Sequence, residues 1–113
     1  MSRQWEAYAL HILDAIEKIR RIQARGDISR DDILYDAALR NLQTLSEATQ
    51  RLTEGKKSLC PDIPWREISG FRNILVHNYL GEIDPLTVRS VIEQHLAPLE
   101  ACMRELLSYR QGE

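Results

Sequence analysis

At 113 residues, 43% apolar and 28% charged, the chain has the balance of a soluble globular protein and fits one domain, residues 1–113, with a small core. Its formal charge of −2 argues against nucleic-acid binding through bulk positive charge and leaves room only for a local basic groove. No apolar run reaches the roughly 18 residues that span a bilayer, and Met1 to Leu10 has no apolar signal-peptide core, so a cytoplasmic location without a membrane span is expected. Cys60 and Cys102 show neither CxxC spacing nor paired histidines nearby, and two free thiols are expected.

Four helical segments follow in chain order, with no strand. The first runs from about Arg3 to Arg25, where Trp5, Tyr8, Ile12, Ala15, Ile16, Ile19 and Ile22 recur at steps of three and four. Gly26 is its expected stop. The second starts near Ser29, read as an N-cap with Asp32 in the first turn. It carries Ile33, Leu34, Ala37, Ala38, Leu42, Leu45, Ala48 and Leu52, and is expected to end at Gly55. Lys56 to Pro64 reads as a loop, because Pro61 and Pro64 both break helices.

The third helix begins around Pro64 and runs to about Leu80. Trp65, Ile68, Phe71, Ile74, Leu75, Val76, Tyr79 and Leu80 cover most of its circumference, which predicts a largely buried helix. Gly81 closes it. Asp84-Pro85 then reads as an N-cap and first helical residue. The fourth helix carries Val88, Val91, Ile92, His95, Leu96, Leu99, Cys102, Met103, Leu106 and Leu107. Pro98 lacks the N–H that would bond back to Gln94, so a kink or split is expected there. These segments predict an all-α antiparallel four-helix bundle.

The informative stretch lies on the third helix, Gly70-Phe71-Arg72-Asn73-Ile74-Leu75-Val76-His77-Asn78-Tyr79. Asn73 and His77 are four apart and share a face. Arg72 and His77 differ by roughly 140° in direction and about 7.5 Å in height, which a long arginine side chain can bridge. A guanidinium, an imidazole, an amide and a phenol on a buried helix need a reason, since buried charge is costly unless paired. The set suits RNA cleavage without a metal. Imidazole can take or give a proton near neutral pH, and a guanidinium fork matches the non-bridging phosphate oxygens.

The string Arg72, four residues, His77, one residue, Tyr79 resembles the signature of HepT-like HEPN proteins. Asn73 after the arginine, Pro64-Trp65 before the helix, Gly70, and Gly81 after Tyr79 agree with it, and the helix order and chain length extend the likeness over nearly the whole domain. The resemblance implies a HEPN-type bundle and a metal-independent endoribonuclease toxin, cutting RNA by attack of a 2′-hydroxyl on phosphate. It implies Arg72, His77 and Asn73 as catalytic residues, a homodimer with a composite site, and no cofactor. It further implies an MNT-type nucleotidyltransferase antitoxin that silences the toxin by transferring AMP to Tyr79.

Plainer readings stand beside these. Arg72 could pair with an acid such as Glu67 or Glu82, His77 could be a core histidine, and Tyr79 could be core packing. Asn73 either orients His77 or caps an internal hydrogen bond. The alternative function is a non-catalytic helical module that binds nucleotide or a nucleotidyltransferase partner. His11 and His95 have no metal-ligand spacing and read as surface or packing residues. Gly55-Lys56-Lys57-Ser58 lacks the first glycine and the strand of a phosphate loop. Asp31-Asp32 reads as first-turn charge, Glu93 and Glu100 as solvent-facing, and Arg20, Arg21 and Arg25 as a solvated helix end or the flank of an RNA path.

Overall fold

The computed structural model describes residues 4–77 and 85–109, and of residues 72–77 and 109 the backbone alone. Among the described residues five helices run in chain order: α1 (Gln4–Arg25), α2 (Asp32–Gln50), α3 (Glu54–Lys57), α4 (Trp65–His77) and α5 (Pro85–Tyr109). Among the described residues there is no strand. The all-α bundle expected from periodicity is therefore the architecture found, with one extra short helix.

The apolar stripes meet as predicted. Ile12, Ile16 and Ile19 of α1, Leu42 and Leu45 of α2, Ile68 of α4, and Leu96, Leu99, Met103 and Leu106 of α5 form one buried core. Each such side chain contributes about 1.5–3 kcal/mol when fully buried, so the stripes dominate helix association. Two ion pairs fix the direction of α5 against α1. Arg20 bonds Glu100 at 2.6 Å, and Arg89 bonds Asp27 at 2.9 Å. Later residues of the α1 side thus meet earlier residues of α5, and the two run antiparallel.

Several local expectations change. Ser29 is not the N-cap of α2; Asp31 is, its carboxylate accepting from the amides of Ile33 and Leu34 at 2.9 and 3.2 Å. Ser29 is drawn instead into a turn on Asp27, whose carboxylate accepts both its amide and its hydroxyl. The second helix does not reach Gly55. It ends at Gln50 with Arg51 as C-cap, and Thr53 caps α3 by accepting from the Lys56 amide. A second capping residue so soon after the first helix ends starts a separate turn.

The two cysteines are not free thiols. Cys60, in the loop before α4, is disulfide-bonded to Cys102 on α5, with Cα atoms 6.2 Å apart. Sequence spacing held no sign of this, because the pair is 42 residues apart and is brought together only by packing. The split expected at Pro98 does not occur, since α5 runs unbroken through it. Pro98 and Gln94 both lie on the exposed side, where water can satisfy the carbonyl that the proline leaves unbonded. No helix among the described residues is long and apolar enough to cross a membrane.

Candidate functional site

The helical backbone of α4 carries Arg72, Asn73 and His77, so three of the four motif residues share one element. Tyr79 lies outside the described residues, as do Gly81, Glu82 and Asp84. On a helix, Arg72 and His77 stand about 7.5 Å apart along the axis, with Asn73 one turn before His77 on the same face.

What positions this helix is visible in its first two turns. Trp65 opens α4, and its indole N–H is shared between the carbonyls of Lys57 and Cys60 at 3.0 and 3.1 Å. The start of α4 is therefore tied to the α3 end and to the half-cystine loop. Farther along, α2 reaches across. The fully buried Ser46 hydroxyl donates to the Ile68 carbonyl at 3.0 Å. The Gln50 amide donates to the Ser69 carbonyl at 3.0 Å. Thr49, also fully buried, donates to the Ser46 carbonyl at 2.7 Å and stands 3.5 Å from the Ser69 hydroxyl. In the i to i−4 pattern, the carbonyls of residues 68 and 69 are those that receive the amides of residues 72 and 73. The polar clamp from α2 thus grips α4 at the peptide groups one turn before Arg72 and Asn73.

These clamp residues were missed by the hydrophobic reading. Their signal is positional: Ser46 and Thr49 continue the Leu42–Leu45 stripe at helical spacing. Small hydroxyl residues on an apolar stripe mark a polar bond to a neighbouring helix.

His95 of α5 faces the same helix. Its ring lies 6.5 Å from the Phe71 ring, and its Nε2 is 3.8 Å from a Glu67 carboxylate oxygen. It is a packing residue, 18% exposed, while Glu67 is 70% exposed. Glu67 is thus no buried acid. The described part of α4 is less enclosed than its apolar count predicts: Ile68 is buried, Trp65 and Phe71 are half-buried, and Arg66 and Glu67 are exposed.

Electrostatics elsewhere correct one further expectation. Glu100 is not a free solvent-facing acid. Arg20 of α1 and Arg104 of α5 both bond it, and the Arg20 hydrogen bond foremost holds its carboxyl below the ordinary range. Arg20 stays exposed but is thereby paired. Glu93 is mostly exposed, 3.8 Å from Arg89. His11 is exposed. Among the described residues no group of three His, Cys, Asp or Glu stands close enough to hold a metal ion.

The chain matches the family described as Ribonuclease HepT-like over residues 12–106. It is 30% identical to the protein named "Probable ribonuclease HepT" of Thermococcus cleftensis, over 94% of this chain and 98% of that one. It is 30% identical to a protein named "Putative RNase" of Caldanaerobacter subterraneus subsp. tengcongensis, over 88% and 91% of the two chains. A "Putative RNase" of Methanocaldococcus jannaschii is 36% identical over 76% of each. No solved structure matches the chain. The family match spans all of α2, α3 and α4 and most of α1 and α5, and with relatives of nearly equal length alongside it, the chain belongs to the HepT-like ribonuclease family.

Proposed function

We propose that the protein is a metal-independent endoribonuclease, the toxin of a toxin–antitoxin pair. The observation that carries the reading is the Arg72-x4-His77-x-Tyr79 string, with Arg72 and His77 on one helix in a chain of a ribonuclease family. His77 moves a proton, either from the attacking 2′-hydroxyl or to the departing 5′-oxygen. Arg72 holds the non-bridging oxygens as charge develops on them. Asn73 supports the imidazole one turn away. The O2′–P bond forms as the P–O5′ bond breaks, leaving a 2′,3′-cyclic phosphate and a 5′-hydroxyl.

Two copies of the single domain join about a two-fold axis, so that a pair of Arg72 and a pair of His77 share one groove. The partner is an MNT-type nucleotidyltransferase, which transfers AMP to Tyr79. That adds negative charge and bulk where RNA phosphate must sit. The reaction takes place in the cytoplasm.

The test incubates purified protein with total RNA in EDTA, beside His77→Ala, and reads the product ends. Cleavage by wild type alone, giving cyclic-phosphate and 5′-hydroxyl ends, supports the reading. No cleavage by wild type shown by mass spectrometry to carry no AMP would replace it with the non-catalytic binding module.

A further inference from the structure

Several basic side chains of the described chain stand beside carboxylates. Arg20 and Arg104 meet Glu100, Arg30 and Arg89 meet Asp27, Lys18 meets Asp14, and Lys57 meets Glu54. Arg21 and Arg25 are exposed and differ: both line a groove of about 400 Å³ between α1 and α2, and neither has a carboxylate partner among the described residues. With Lys18 they form a row on α1 at steps of three and four, spanning about 10 Å of helix axis. The opposite wall is the start of α2, with Ile33, Leu34 and Asn41. Arg21, Arg25 and the Asp14-paired Lys18, with no carboxylate, line the groove in a chain whose net charge is −2.

We propose that this groove is an RNA exosite that holds the phosphodiester backbone of nucleotides flanking the one that is cut. The inference rests on the ribonuclease reading and deepens it. Guanidinium forks fit phosphate oxygens in pairs. Asn41 donates its amide N–H to the Ala37 carbonyl at 2.9 Å, which leaves its amide oxygen as an acceptor. Its second amide N–H remains as a donor, and with two arginines and no carboxylate along the groove of a ribonuclease-family chain the lining favours an RNA phosphate backbone over an acidic protein helix. The groove is not the cleavage cleft. Ala37 on its wall and Ser46, which holds α4, are nine residues apart, two and a half helical turns, and so lie on opposite sides of α2.

The experiment titrates wild type and the Arg21→Ala/Arg25→Ala double variant with a fluorescent 2′-O-methyl oligouridine, which cannot be cut, over a series of KCl concentrations. Steady-state cleavage of the matching RNA is measured beside it. Loss of two single-strand phosphate contacts lowers the slope of log K against log salt by about 1.4. KM for the RNA rises about tenfold while kcat stays unchanged, because the lost contacts are equal in ground and transition states. Arg21→Lys/Arg25→Lys regains the slope. An unchanged slope, or a fall in kcat at constant KM, overturns the exosite; the first would assign the groove to a protein partner instead. If wild type cuts no RNA yet the slopes differ as stated, the groove stands as an RNA site and the ribonuclease reading fails.

Discussion

The Ser46 hydroxyl, fully buried on α2, donates 3.0 Å to the Ile68 carbonyl of α4. That carbonyl sits one helical turn before Arg72, so a side-chain bond from a neighbouring helix holds α4 at the peptide group just ahead of the motif.

Ser46→Ala removes this bond. The Ile68 carbonyl keeps its own helical amide, so the loss is that of one ordinary hydrogen bond, about 1 kcal/mol. Urea unfolding measures it. The Ser46→Ala/Gln50→Ala pair removes both clamps on α4 and is expected to lower cleavage more than stability, through misplacement of Arg72. Full activity in the double variant would show that the clamp does not position the motif.

Arg72→Ala and His77→Ala are each expected to cut RNA at least 100-fold more slowly, the lower end of what a general acid or base supplies. Far-ultraviolet circular dichroism and the mass in solution should match wild type. Activity within a few-fold of wild type in both would remove these residues from the chemistry.

The Cys60–Cys102 bond closes a long loop that takes in α4 and most of α5. Constraint of the unfolded chain by a loop of this length is worth about 4 kcal/mol in the chain-entropy picture. A dithiol reductant should therefore lower the Tm of wild type and leave Cys60→Ser unaffected. Equal reductant sensitivity in the two would place the effect elsewhere.

Asp27 holds its proton weakly. Hydrogen bonds from Ser29, and then Arg89, bring its pKa from 3.8 to about 2. The folded value is the lower one, so the stabilising contribution is fully present above about pH 4 and fades as pH falls through about 2. Asp27→Asn should flatten the acid limb of a stability-versus-pH curve in that window. An identical acid limb in the variant would show that Asp27 does not contribute to it.

The helices were legible wherever burial follows a 3.6-residue period. The Ile12–Ile16–Ile19 and Leu96–Leu99–Met103 stripes became core as their spacing demanded. Boundaries were less so, because Ser29, Asp31 and Thr53 are all competent capping residues. Asp27, two residues away and itself bonded by Arg89 from α5, takes Ser29 into a turn by accepting both its amide and its hydroxyl. The motif on α4 was readable from its residues alone. Its supports were not, since Ser46, Gln50 and His95 act through partners on other helices. Cys60 and Cys102 were opaque for the same reason.

The bonds from Ser46 and Gln50 end on main-chain carbonyls of α4, not on its side chains. Every amino acid offers that same carbonyl, so these two bonds are indifferent to which side chains follow them along the helix. Side chains beyond Ser69 can therefore drift or be redesigned for a new target without renegotiating the joint that aims them.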